Sequence, residues 1–210
     1  TASNNVAVGL QSLKSNTTGH SNVSVGHQAL YTGTTGNYNT ALGYQALYNN
    51  TTAGNNTVIG YSAGKANTTG ASNVYIGKDA GLVATTANNN VAIGEDSGYN
   101  ITTGGGNTGV GQKSFKDLTT GEANTGVGYW AGYNITTGAS NTTLGQSAGK
   151  TLTTGSNNTA VGYDATPSSA TVSNEITLGN TSITKFRIPG LNFVIKDTTA
   201  TDNYVLTVDA

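Results

Sequence analysis

The chain has 210 residues, 35% of them hydrophobic and 9% charged, with 30 glycines, no cysteine and a net charge of −1. Without clustered Lys and Arg to neutralise phosphates, nucleic-acid binding is not expected. Lack of cysteine excludes disulfide staples and thiolate metal sites and leaves the compartment open. No apolar run is long enough for a transmembrane helix, so no membrane insertion is expected. The chain shows neither a leader peptide nor an initiator Met, which reads as a piece of a longer protein.

One pattern organises what remains. Asn stands at positions 5, 22, 39, 56, 73, 90, 107, 124, 141 and 158, every 17 residues with no insertion or deletion. The next step lands on Glu175, in Glu175-Ile176-Thr177-Leu178-Gly179, so eleven copies cover about residues 4 to 183. A period this regular decides the architecture before any local motif does.

Each copy opens with a strand signature. The second position is Val, Thr or Ile throughout, from Val6 to Ile176, and the fourth is always aliphatic, as in Leu42, Ile59 and Val127. Two such residues separated by one read as a strand with one face turned inward, and the fourth position is the expected core column. The third position is mostly small (Ala7, Ser24, Ala41, Gly109, Gly126), with Val58 and Tyr75 as exceptions, and reads as a second face that something approaches closely. Gly fills the fifth position in every copy, including Gly43, Gly60 and Gly128, which implies a corner.

The eighth position, Ala or Ser, predicts a tight packing contact. The ninth, beginning Leu13, Leu30 and Leu47, predicts one end of a second short strand. Thr-Thr-Gly or Thr-Thr-Ala then supplies turn chemistry, from Thr17-Thr18-Gly19 to Thr153-Thr154-Gly155. The opening Asn, as at Asn39, Asn56 and Asn124, is expected to stack as a ladder between coils. Two short strands and two turns per repeat, stacked at about 4.8 Å, give an all-β parallel β-solenoid roughly 50 Å long.

The apolar content of each coil is thin against the cost of ordering 17 residues. A second buried surface is therefore expected, formed by more than one chain about a shared axis. Three is the expected number, although the residues alone do not fix it.

The run Asn4-Asn5-Val6-Ala7-Val8-Gly9, with Ser12 following, resembles the head repeat of trimeric autotransporter adhesins. That resemblance implies a trimeric, parallel, left-handed β-roll. The longer form, Asn39-Thr40-Ala41-Leu42-Gly43-Tyr44-Gln45-Ala46 with Thr51-Thr52, is similar to repeat shafts of bacteriophage tail fibres, and Thr-Thr-Gly is the extension beyond the shorter adhesin repeat. The stretch from Glu175 to Thr184 also resembles the segment preceding a self-cleaving C-terminal chaperone in such fibres; no chaperone sequence is present.

The period stops after Ser182, and Pro167 already disturbs the tenth copy. Leu191 to Ile195 and Tyr204 to Val208 read as two strands, so 184–210 is expected to be a β cap or a junction to a further domain.

Several residues invite chemistry. Asp79, Asp96 and Asp164 share the seventh position, with Glu95 beside Asp96, and paired carboxylates could hydrolyse glycans. A uniform repeat offers no clustered support for them, and a solvated turn explains them better. Tyr44, Tyr61, Tyr129 and Tyr163 occupy the sixth position, Trp130 the seventh, and Tyr31, Tyr48, Tyr99 and Tyr133 the tenth. Exposed rings of this kind could contact surface glycans (Tyr44, Tyr48, Tyr61, Tyr129, Trp130, Tyr133) or pack chains and coils together. The Thr columns could order water against ice, but adjacent Thr in a turn do not make a flat array. His20 and His27, the only histidines, read as polar surface residues rather than a metal pair. No cofactor, metal or catalytic residue is expected.

The functional expectation is a structural and adhesive fibre segment of a phage tail fibre, located on the virion, that presents a receptor-binding tip to a host-surface glycan or protein. Two alternatives remain: the head of a trimeric adhesin on a bacterial surface, and a glycan-degrading β-solenoid enzyme.

Overall fold

A computed structural model describes residues 2–185. Eleven strands follow one another: β1 (Val6–Val8), β2 (Val23–Val25), β3 (Thr40–Leu42), β4 (Thr57–Ile59), β5 (Val74–Ile76), β6 (Val91–Ile93), β7 (Thr108–Val110), β8 (Thr125–Val127), β9 (Thr142–Leu144), β10 (Thr159–Val161) and β11 (Ile176–Leu178). They form one sheet in sequence order, every pair parallel. The register is one repeat, with Thr40, Ala41 and Leu42 opposite Thr57, Val58 and Ile59. The fold is thus an all-β parallel β-solenoid whose coil is the 17-residue repeat. Of the expected 184–210 cap, residues 186–210 lie outside the described ones.

The Gly after each strand is required twice over. Gly43 sits at φ +138°, and a Cβ there would lie 2.4 Å from the carbonyl oxygen of Gly60 in the next coil. Both the left-handed backbone and the close stacking exclude a side chain.

Two expectations about the coil are corrected. Each coil holds one strand of three residues, not two. The ninth residue lies in a turn at positive φ, +50° at Leu30 and +54° at Leu47. Coil-to-coil hydrogen bonds still cross this region: the Leu30 N–H donates to the Ala46 carbonyl at 3.0 Å.

The faces of the strand are also reversed. The third residue points into the coil: Ser24, Ala41, Val58, Tyr75 and Ala160 are fully buried. The second and fourth point outward, and Val8, Leu42 and Val127 are 56%, 43% and 42% exposed. Ile59, expected in the core with Leu42 and Val127, is half-buried on the same outer face. The reason is volume. The interior of so small a coil admits one inward side chain from the strand, and this must share space with the ninth and twelfth residues.

That sharing is visible along the axis. Leu30 and Leu47 fill the first coils from the ninth position. Tyr75 then fills from the third, flanked by Gly64 and Gly81, where an added Cβ would meet the Tyr75 ring at 3.0 and 2.7 Å. Ile101, Ile135 and Leu152 take over from the twelfth position beside glycines at the ninth. Phe115 returns to the ninth, between Gly109 and Gly126 at the third. Large residues in one column meet glycine in another, which keeps the interior close-packed. Burial pushes the Tyr75 hydroxyl above its ordinary range.

The expected Asn ladder is present. Asn39 donates its backbone N–H (2.9 Å) and Nδ2 (3.2 Å) to Oδ1 of Asn22, and its Nδ2 also donates to the Ala53 carbonyl at 2.9 Å. Asn56 and Asn124 do the same one and five coils on. These side chains are buried, so satisfying every polar atom is what makes them tolerable.

Candidate functional site

The outward sheet face repeats in every coil. Eleven strands each present two outward residues: the second position is Thr in six strands and Val or Ile in five, and the fourth is Val, Ile or Leu in all eleven. At about 4.8 Å per strand, the strip runs roughly 50 Å. The aliphatic fourth-position column is continuous along this face, unlike singly scattered exposed apolar residues.

The sixth position borders this face across the Gly corner. His27 stacks on Tyr44 (centroids 5.3 Å apart) and Tyr44 on Tyr61 (5.1 Å), each one coil beyond the last. Within a single coil, Tyr129 of this column stacks on Trp130 of the seventh position at 4.9 Å, and Trp130 meets Tyr133 of the tenth at 5.4 Å. Tyr48 belongs elsewhere, to the tenth position, where it stacks on Tyr31 at 5.0 Å with the rings 2° from parallel. The six aromatic residues expected to contact glycans therefore form three groups, and many of their faces are occupied by one another. Repetition puts like side chains at coil spacing, which suits ring stacking.

The acidic residues are brought beside a lysine. Lys78 reaches Glu95 at 3.4 Å and Asp79 at 3.7 Å. Gln112 donates to Glu95 at 2.7 Å, and this bond, with that from Lys78, holds the Glu95 carboxyl below its ordinary range. Partial burial pushes Asp79 up despite the nearby ammonium. Bridged by Lys78, the two carboxylates make a surface ion cluster. Asp164 lies apart, at the rim of a cavity of about 290 Å³ lined also by Thr166, Thr177 and Asn180.

The Thr columns have a different job from ordering water. Thr34 donates its hydroxyl to the Thr51 carbonyl at 3.0 Å, and Thr51 to that of Thr68 at 3.1 Å, a series that continues to Thr153. The first Thr of each pair is a fastener between coils. His20 packs edge-on against Tyr38 at 5.1 Å, while His27 belongs to the tyrosine column. Among the described residues, no group of three His, Asp or Glu is arranged to hold a metal ion, and no helix is long and apolar enough to cross a membrane.

No family model, curated protein or solved structure matches this chain. The functional reading therefore rests on the molecule's own surfaces.

Proposed function

We propose that the chain is a non-catalytic fibre segment of a phage tail fibre, in which three copies pack their outward strand faces about a common axis and present a receptor-binding tip. The observation that supports this reading is the unbroken column of aliphatic fourth-position residues on the outward face of the solenoid, from Val8 to Leu178. Its partner must offer apolar side chains at the same coil spacing over the same length. A second and third copy of this chain meet that condition without adjustment, and cyclic symmetry about the rod axis closes the assembly. The number three comes from the resemblance to trimeric fibre and adhesin repeats. The head of a bacterial surface adhesin would have the same assembly, and the same face supports it equally.

The natural chain has no cysteine, which makes cross-linking clean. A single Val110→Cys on the outward face is expected to give inter-chain disulfides on mild oxidation. Thr120→Cys, on an exposed corner, is expected to stay reduced. Equal cross-linking of the two, or none at Val110→Cys, would sink the shared-axis packing.

A further inference from the structure

The tenth position of the coil carries a second surface, half a coil away from the strand face. Four of its residues are lysines: Lys14, Lys65, Lys116 and Lys150. Four more are tyrosines: Tyr31, Tyr48, Tyr99 and Tyr133. No acidic residue occurs in this column. Neighbours in this column, the ridge, meet along the axis from Lys14 to Tyr48 and from Tyr99 to Tyr133. Lys14 sits over the Tyr31 ring at 5.3 Å and donates to its hydroxyl at 3.3 Å. Lys116 lies between two rings, 6.0 Å from the centroid of Tyr99 and 5.7 Å from that of Tyr133. Lys150 lies over Trp130 at 6.0 Å.

The charge on this ridge is uncompensated. Among the described residues, both ion pairs belong to Lys78, off the ridge. The carboxylate bordering it, Asp117, accepts from Asn100 Nδ2 at 3.3 Å, and no ion pair links it to Lys116. The ring contacts place the ammonium groups of Lys14, Lys116 and Lys150 over aromatic faces, with no carboxylate of the described residues in ion-pair reach.

We infer that this ridge binds an acidic polysaccharide lying along the fibre axis, with uronate carboxylates on the lysines and sugar hydroxyls on the intervening tyrosine hydroxyls. Spacing decides the class. The lysines stand three, three and two coils apart, roughly 14, 14 and 10 Å. A phosphate backbone carries a charge about every 1.7 Å of duplex and needs a far denser row of cations. A polymer bearing one carboxylate for every one or two sugar rings matches a sparse, straight row of cations separated by hydrogen-bonding groups. The inference deepens the adhesive part of the proposed function, adding contact along the shaft to contact at the tip.

The test uses the full chain in native gels containing polygalacturonate, dextran, DNA or polyglutamate, with the solution mass measured alongside. Retardation by polygalacturonate and not by dextran is expected, weakening as salt is raised. The Lys116→Gln, Lys150→Gln pair is expected to weaken it roughly tenfold, at unchanged mass and unchanged circular dichroism. Lys78→Gln, off the ridge, is expected to leave it unchanged. Equal retardation by dextran, indifference to the Lys116 and Lys150 changes, or retardation by DNA or polyglutamate alone would overturn the inference. A monomeric chain that still binds polygalacturonate would overturn the trimer and leave the ridge standing; a trimer that does not bind would do the reverse.

Discussion

The middle coils and the last two are built from the same repeat, yet the Asn ladder runs on through the middle ones and ends in the last. Asn124 donates to Asn107 Oδ1 (3.0 Å) and the Gly138 carbonyl (2.9 Å), and its own Oδ1 accepts from the Asn141 backbone N–H (2.9 Å) and Nδ2 (3.1 Å). At the end of the ladder Glu175 still donates its backbone N–H to Asn158 Oδ1 at 3.0 Å, but it has no amide to donate. Its carboxylate turns to the Ser168 N–H (2.9 Å), the Ser168 hydroxyl and the Thr177 hydroxyl (2.7 Å). The Thr fasteners stop too: Thr153 donates to Ala170, which has no hydroxyl to pass on. Ile176 is left 72% exposed. A solenoid coil is held by its two neighbours; among the described residues the last coil has one, and its side chains differ from those of the middle coils accordingly.

The strongest way to break this contrast is at the Gly corner. Gly43→Ala places a Cβ against the Gly60 carbonyl at φ +138°, whereas at Gly179 (φ +77°) the nearest atoms are the Ile183 side chain. Gly43→Ala is expected to cost about 4 kcal/mol and Gly179→Ala about 1 kcal/mol, read from urea unfolding midpoints. Similar losses at both positions would remove the distinction. Next in size is the ladder. Asn124→Ala orphans the Asn141 N–H and the Gly138 carbonyl and is expected to cost about 3 kcal/mol. Glu175→Asn, which restores a ladder donor, should slow hydrogen exchange in β11 while leaving β4 to β8 unchanged.

A smaller effect tests the filling of the interior. An added Cβ at Gly126 would lie 2.7 Å from Phe115 Cζ. Gly126→Ala should cost about 2 kcal/mol. Combined with Phe115→Leu it should show a favourable coupling of about 1 kcal/mol. Strict additivity would mean that the two columns do not share the space. The smallest effect is with pH. Hydrogen bonds from Ser168, then from Thr177, hold Glu175 below its ordinary value of 4.5. A carboxyl depressed in the folded chain contributes above its unfolded pKa and loses that contribution as pH falls through the folded one. The protection of β11 amides, measured as exchange relative to an unstructured peptide at the same pH, should therefore fall below about pH 4.5 before that of the central strands. Asp79, raised by burial, has the opposite sign and should mildly favour the folded coil over the same descent.

Much of the architecture was legible in the sequence because the period leaves no freedom. The strand, the Gly43-type corner, the Asn39 ladder and the Thr turn all sit where the repeat puts them. The inward face was not legible from alternation. A period of two says that Leu42 and Thr40 share a side opposite Ala41, not which side is inside. A further signal was present in the columns taken together. Tyr75 at the third position stands between Gly64 and Gly81 at the ninth, and Phe115 at the ninth between Gly109 and Gly126 at the third. Exchange of bulk between columns identifies them as lining one interior. The second strand failed because Leu30 and Leu47 adopt a left-handed backbone that their residue type disfavours, a cost accepted for filling the coil. The ridge of Lys116 and Tyr133 needed the structure, since charge compensation and ring contact are spatial facts.

The central claim is that the outward strand face is buried between copies of this chain. The direct measurement is solution mass by light scattering, on the natural chain and on Leu42→Asp with Val127→Asp. The natural chain should weigh three times its 21.2 kDa, and the doubly charged face should fall to the mass of one chain. A natural chain with the mass of one copy, or a trimer indifferent to both aspartates, would contradict the account.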